Sequence, residues 1–330
     1  MRLTATAGLQ RSQLTLPLGG GRPGAGELDR RARGATFREL PIRQALNSPA
    51  TTKMDFWTLN PYVGCEFGCC YCYARATHRY VSERHGVAPP EGHTAAEAFE
   101  RDIYVKKDAD RVLLRSLDPK RLAGQPLLIG TATDPYQPAE RRFGITRSVL
   151  LALARFEGLE IWLTTKSPLV ARDADLLLEL AKRHRLSVCV SLITTDPGVI
   201  RRLEPRTPLP HARLRAVRAL ADAGVPVGLL VAPIVPGLTD GWGALGGLLA
   251  AAREAGARFA VGSALRLARV ARDGFLPVLE REFPDLLARY RRRYGWRDTP
   301  GRAYLSALDR RLRTLQAIHG LPVQGLRYAG

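Results

Sequence analysis

The order of apolar and helical segments predicts an α/β protein: a partial (β/α)6 TIM-like barrel with a basic N-terminal arm and a helical C-terminal extension. Three observations carry this. Short apolar runs recur along the chain, longer segments of helical period separate them, and polar residues gather where the runs end. The runs are nearly continuous in apolar residues, as strands of a parallel sheet are when both faces are buried.

The first 50 residues hold "PLGGGRPGAGE" and little apolar periodicity, with eight arginines against three acids, so a partly flexible basic arm is expected over 1–50. The core is expected over 51–270. Its strand-like runs are "DFWTLN" (55–60), "PLLIGTA" (126–132), "LEIWLTT" (159–165), "RLSVCVSLI" (185–193), "VPVGLLVAPI" (225–234) and "ARFAVGSALRL" (257–267). Helices are expected over 94–105, 144–156, 171–183, 208–223 and 243–255. In "DADLLLELAKRH" the leucines recur at helical spacing, and Gly224 supplies a stop after "HARLRAVRALADAG". Residues 271–330 read as a basic helical extension, a broken helix or helix pair followed by a final helix. Arg289, Arg291, Arg292 and Arg293, flanked by Tyr290 and Tyr294, form its densest basic patch.

The 330 residues carry a formal net charge of +19, mostly through arginine, and 45% are hydrophobic. A full core is available, and the positive potential would attract polyanions such as nucleic acid. No sustained apolar segment reads as a signal peptide or membrane span, so a cytoplasmic protein with no membrane partner is expected.

Four of the five cysteines fall between 65 and 72, in "NPYVGCEFGCCYCYARATH". Such clustering in a chain able to build its own core points to metal or cluster ligation rather than disulfides. Cys65, Cys69 and Cys72 stand as CxxxCxxC. Three thiolates suit a [4Fe-4S] cubane that keeps one iron open, and Gly64 and Gly68 let the backbone turn closely around it. A structural zinc ion would need a fourth ligand, for which Cys70 or His78 are available; a zinc-stapled nucleic-acid-binding module is the alternative from another class. Cys189, within an apolar run, reads as a core residue.

The CxxxCxxC loop after the first strand resembles the signature of the radical SAM superfamily. "IGTATDPYQPAER", "TTKSPLVARDADLL", "VSLITTD", "LEPRTP" and "VPVGLLVAPIVPGLTD" extend the resemblance to the subfamily that includes spore photoproduct lyase and its uncharacterised relatives, over roughly 54–270. The resemblance implies a [4Fe-4S] cluster that chelates S-adenosyl-L-methionine. An electron from a reduced flavodoxin- or ferredoxin-like donor then cleaves that cofactor to methionine and a 5'-deoxyadenosyl radical, which takes hydrogen from a substrate.

Carried onto this chain, the resemblance makes Cys65, Cys69 and Cys72 the cluster ligands and places Tyr71 near the adenine, with Tyr73 in the same pocket. Lys166 after the third run approaches the cofactor carboxylate, and Ser191 at the end of the fourth meets a cofactor hydroxyl or carboxylate. Thr133 or Asp134 stands where many members bind the methionyl amine, although "GTATD" replaces the usual glycine-rich motif. Tyr136 and Gln137 are expected to face substrate, Tyr136 as a radical relay. Ala232–Gly237 is expected to line the adenine pocket, and Arg266 to hold an anionic group. The lyase's donor cysteine has no counterpart, since the chain has no cysteine between 73 and 188. The substrate expectations are therefore nucleic acid, on charge and kinship, or a small molecule or protein with the charge incidental.

Overall fold

The computed structural model describes residues 27–30, 34–86, 95–122 and 124–323. Each apolar run contains a strand: β1 (Trp57–Leu59), β2 (Leu127–Ile129), β3 (Glu160–Thr165), β4 (Arg185–Ser191), β5 (Val227–Ile234) and β6 (Ala260–Ala264). They lie side by side in chain order and all pair in parallel, with Leu46–Asn47 antiparallel on the outer edge of β1. The fold is the partial barrel the alternation predicts.

The near-continuous apolar strands have a direct physical cause. Leu127, Ile129, Ile161, Leu163, Val188, Val190, Leu229 and Val231 share one core with apolar residues of the helices at 145–153, 174–183, 210–222 and 242–254. The intervening residues Leu128, Trp162, Cys189, Leu230 and Val261 point the other way and pack with Phe56 and Phe259 as a second layer. Trp162 meets Phe259 edge-on at 5.7 Å. With helices on one face, this second layer lines the concave interior, and Cys189 belongs to it as the core residue expected. Each of these side chains contributes about 1.5–3 kcal/mol by leaving water.

The expected helix at 94–105 is half wrong. Residues Ala95–Arg101 are helical, but Asp102–Val105 is a strand. It runs parallel to Thr36–Glu39 and antiparallel to Tyr62–Val63, and Glu27–Arg30 pairs on the far side of Thr36–Glu39. Local propensity allows either state; what decides is that Ile103 and Val105 bury completely when extended. This second sheet delivers the chain through Tyr62–Val63 straight into Gly64 and Cys65. Of the 1–50 arm, residues 1–26 lie outside the described residues, and Thr36–Glu39 is part of this sheet.

Residues beyond the barrel form helices at Arg269–Glu282, Pro284–Tyr294 and Arg302–Ile318. The break between the first two falls before Pro284, whose ring cannot continue the preceding helix. Tyr290 and Tyr294 stack at 5.5 Å and donate their hydroxyls to the carbonyls of Pro236 and Leu265. Gln316 donates to the carbonyl of Ala260 at 2.7 Å, so the last helix closes over β6.

Candidate active site

The cysteine loop leaves the small sheet through Gly64, which has φ of +89°; a Cβ there would lie 2.8 Å from the carbonyl oxygens of Phe99 and Asp102. Only glycine combines that backbone angle with that approach. Beyond it the loop is pinned from several elements. The amide of Cys65 donates to the Phe99 carbonyl at 2.9 Å, and that of Cys70 to the Leu203 carbonyl at 3.0 Å. Glu66 accepts the Ala139 amide at 2.7 Å, while its own amide donates to Gln137 at 3.0 Å. Arg206 donates to the Glu66 carbonyl at 2.7 Å.

All five cysteines are free thiols; Cys69 and Cys70 are buried and Cys65 and Cys72 half-buried. Burial pushes the thiols of Cys65, Cys69 and Cys72 above their ordinary range, with Lys166 pulling back at Cys69 and Cys72. Such thiols ionise when a strongly cationic partner offsets the desolvation, which a thiolate-bound iron cluster does. Among the described residues, no group of three or more His, Cys, Asp and Glu side chains is placed to hold one metal ion. A cubane instead gives each thiolate its own iron. His78, the possible fourth zinc ligand, packs between the rings of Phe99 and Tyr104 at 5.9 and 5.4 Å.

Tyr71 and Lys166 come together, and the structure adds partners that no local motif announces. The Tyr71 hydroxyl donates to Glu204, Lys166 Nζ lies 3.8 Å from the same carboxylate, and that ammonium stands 5.8 Å from the Tyr71 ring centre. Glu204 also pairs with Arg213, both side chains being 0% exposed. Arg213 donates in turn to the carbonyls of Pro208 at 2.8 Å and Ser191 at 3.0 Å. Burial by itself would raise the Glu204 carboxyl, but Arg213 and Lys166 outweigh it and bring it down to about 2. Burial likewise works against the Lys166 charge, and Glu204 and Cys69 more than offset it, holding the ammonium above its usual range.

Ser191 closes β4 on its concave face, since it lies two residues beyond Cys189. Its side chain is buried and Oγ has no hydrogen-bond partner among the described residues. A buried hydroxyl left unpaired is costly unless a ligand meets it. This orphaned oxygen and the thiols fit a bound cluster with a polar cofactor beside it.

Other expected site residues have scaffold contacts. Asp134 accepts from the amide of Tyr136 at 2.9 Å, Thr165 Oγ1 at 2.6 Å and the amide of Lys166 at 2.7 Å. Its carboxylate is thus committed to shaping the turn that carries Lys166. Thr133 donates to the Gly64 carbonyl at 2.5 Å and accepts from Gln137 at 2.9 Å, so both hold the cysteine loop. Tyr136, expected to face substrate, is wholly buried and donates to Asp173 at 3.1 Å within an ion network of Arg147, Arg172 and Glu140. Tyr73 is 55% exposed and bridges the loop to β2 by donating to the Thr131 carbonyl. Arg266 is exposed.

Sequence reasoning passed over Glu66, Glu204 and Arg213 as site residues. "LEPRTP" contains Glu204 and was the available signal, but neither its burial nor its partner nine residues on can be read from a string.

The Radical SAM superfamily model matches residues 59–243. The chain belongs to the radical SAM superfamily. It is an enzyme. An uncharacterized protein of Mycobacterium tuberculosis is 36% identical over 263 residues, covering 79% of this chain and 74% of that protein. An uncharacterized protein of Methanocaldococcus jannaschii is 26% identical over 184 residues, covering 56% of this chain and 62% of the relative. Among solved structures, a spore photoproduct lyase variant superposes with a TM-score of 0.61 at 18% identity, covering 94% of this chain and 88% of the other. A second variant, with bound AdoMet and dinucleoside spore photoproduct, gives 0.55 at 18% identity over 82% and 76% of the two chains. These likenesses share the partial barrel. Among the described residues no helix is long and apolar enough to cross a membrane.

Proposed function

We propose that this radical SAM enzyme holds a [4Fe-4S] cluster on Cys65, Cys69 and Cys72, binds S-adenosyl-L-methionine against it, and takes hydrogen from a nucleic-acid substrate. The observation that carries the core of this reading is the loop of three thiols in CxxxCxxC spacing, joined through Tyr71, Glu204 and Arg213 to the strand end that carries the unpaired Ser191 hydroxyl. When bound, the cluster and cofactor supply one-electron cleavage of a carbon–sulfur bond, giving methionine and a 5'-deoxyadenosyl radical.

The chain's own residues aim and shield that chemistry. Glu66 anchors the loop from within to the Ala139 amide, and Thr133, Gln137 and Arg206 fix it from outside. Lys166, oriented by Asp134 at its amide and by Glu204 at its ammonium, presents a cation suited to the cofactor carboxylate. Ser191 Oγ offers a donor and acceptor to a cofactor hydroxyl or carboxylate. Tyr71 is buried next to Cys72 with its hydroxyl tied to Glu204, which sets its ring for stacking.

Nucleic acid is favoured by the net charge of +19 and by one surface feature. Trp296 is 100% exposed, and Arg291, Arg292 and Arg297 around it are exposed as well. An accessible indole among guanidinium groups suits stacking on a base beside phosphate contacts.

Anaerobic cluster reconstitution followed by reduction with S-adenosyl-L-methionine tests the chemistry. The 5'-deoxyadenosine product should appear, and Cys69→Ala should abolish it; its absence from a fully loaded, reduced protein would overturn the reading. Binding to DNA and RNA oligonucleotides across a salt series tests the substrate class. Affinity should fall steeply with salt and weaken several-fold in Trp296→Ala, whereas negligible binding at low salt would redirect the search to small molecules and proteins.

A further inference from the structure

The helices at Pro197–Leu203 and Arg269–Glu282 come together beside the cysteine loop and line a cavity of about 300 Å³, with Gly68 and Cys70 in its wall. The second helix lies directly on the loop because residue 274 is glycine. A Cβ there would run into the Arg75 guanidinium and stand 2.5 Å from the Cys70 carbonyl oxygen. Arg75 belongs to the short helix Tyr73–His78 that follows Cys72, and it lines the same cavity.

The lining is strongly cationic. It holds the guanidinium groups of Arg75, Arg201, Arg202 and Arg281 against the carboxylates of Glu100 and Glu282, a surplus of two positive charges. Glu100 is already shared between Arg75 and Arg206, and Glu282 pairs with the exposed Arg281 at 2.8 Å. Arg201 and Arg202 are exposed and meet only neutral acceptors. Arg201 donates to the carbonyls of Pro205 at 3.3 Å and Thr207 at 3.2 Å. Arg202 donates to the carbonyl of Gly198 at 3.2 Å, and its guanidinium lies 4.5 Å from the centre of the Phe283 ring. These contacts aim both groups without neutralising them. Nε of Arg75 is buried and has no hydrogen-bond partner among the described residues, a costly state unless a ligand completes the surroundings.

We propose that this cavity binds a phosphate-bearing ligand that brings at least two negative charges. The inference needs neither the cluster nor its cofactor, and Lys166, Ser191 and Tyr71 do not line the cavity. Planar guanidinium forks match pairs of phosphate oxygens. A dianion balances the surplus of two, whereas a monocarboxylate leaves one charge uncompensated. Diphosphate compounds and adjacent phosphates of a nucleic-acid backbone both carry this chemistry. The ligand bridges Arg201 and Arg202 on one helix, Arg281 on the second and Arg75 in the turn after Cys72. It thereby braces the segments around the cysteine loop, and binding to the folded state alone raises stability by mass action.

The test uses the full chain as purified, with inorganic pyrophosphate as the probe in chloride buffer of fixed ionic strength. Calorimetry reads affinity and thermal unfolding reads stabilisation. The triple variant Arg201→Gln, Arg202→Gln, Arg281→Gln is compared with Arg291→Gln, Arg292→Gln, Arg297→Gln, which removes the same charge outside the cavity lining; circular dichroism verifies the fold of each. The parent should bind pyrophosphate and unfold at a higher temperature in its presence. The cavity variant should bind at least 10-fold more weakly and lose the thermal rise, while the second variant stays within 2-fold of the parent. Succinate, a dianion without phosphate, should bind at least 10-fold more weakly than pyrophosphate. No binding by the parent, equal weakening in both variants, or equal affinity for succinate would overturn the proposal; the second result would assign the attraction to net charge alone. A single-stranded oligonucleotide that displaces pyrophosphate would identify the backbone as the source of the phosphate, and one that does not would identify a free phosphate compound; either outcome supports the phosphate site. Failure to form 5'-deoxyadenosine would sink the proposed function and leave these readouts unchanged.

Discussion

Replacing Glu204 with glutamine removes one charge from the buried network while keeping its shape. The carboxylate is fully buried against Arg213, with Lys166, Tyr71 and Thr207 as further partners. Arg213 and Lys166 hold its carboxyl down at about 2, below its ordinary value of 4.5. That difference corresponds to roughly 3 kcal/mol of stability at neutral pH, at 1.36 kcal/mol per unit. Removing one partner of a buried pair costs about 3–5 kcal/mol, which agrees. The raised Lys166 describes part of the same attraction and is not added. With an unfolding entropy of about 2.1 cal/mol/K per residue, the loss corresponds to a melting decrease of roughly 4–7 °C for a chain of this size. The sign with pH follows from the lowered carboxyl. Its contribution is complete above about pH 4.5, the unfolded value, and is lost as pH falls toward about 2. At pH 4 the gap between parent and Glu204→Gln should already have narrowed by about 1 kcal/mol. Urea unfolding of cluster-free protein at pH 7 and pH 4, followed by circular dichroism, gives both numbers. A gap below 1 kcal/mol at pH 7, or one that widens at pH 4, would refute the account of Glu204 as the ionised centre of this network.

Ser191→Ala should leave unfolding within about 1 kcal/mol of the parent, because Oγ has no partner among the described residues, yet weaken S-adenosyl-L-methionine binding about 5- to 15-fold, the loss of one hydrogen bond; unchanged binding by calorimetry would remove it from the cofactor site. Tyr136→Phe should lower stability by about 1 kcal/mol through the lost bond to Asp173 and leave 5'-deoxyadenosine formation and substrate turnover within 2-fold, whereas a turnover loss beyond 10-fold at full stability would support the radical-relay role. Cys70→Ala and Cys189→Ala should load iron as the parent does, while alanine at Cys65, Cys69 or Cys72 should prevent full loading, as read by iron content and visible absorption. Gly64→Ala should destabilise by at least about 2 kcal/mol and reduce loading, since both its φ of +89° and its carbonyl neighbours oppose a Cβ; a thermal midpoint equal to the parent's would contradict this.

The strands were legible because their signal is local and strong. A strand buried on both faces has to be apolar at almost every position, and the helices between have to show a stripe, so alternation survives without knowledge of neighbours. The cysteine triad was legible for a related reason: its CxxxCxxC spacing lies within one short loop. Asp102–Val105 was misread because its apolar residues fit either a helix or a strand, and Thr36–Glu39, more than sixty residues earlier, is what makes the extended form the buried one.

Sequence alone thus determined the α/β class with its run of strands and the loop of Cys65, Cys69 and Cys72, both carried by short-range patterning. Tertiary structure decided what surrounds that loop. Glu204 and Arg213, Lys166, Tyr71 and Ser191 come from separate elements, and whether a polar side chain is a ligand, a clamp or a buried ion depends on what remains to satisfy it once water is excluded. Asp134 and Thr133 stand in a string simply as polar residues after a strand; the fold adds that Asp134 accepts from Tyr136, Thr165 and Lys166 and that Thr133 donates to the Gly64 carbonyl.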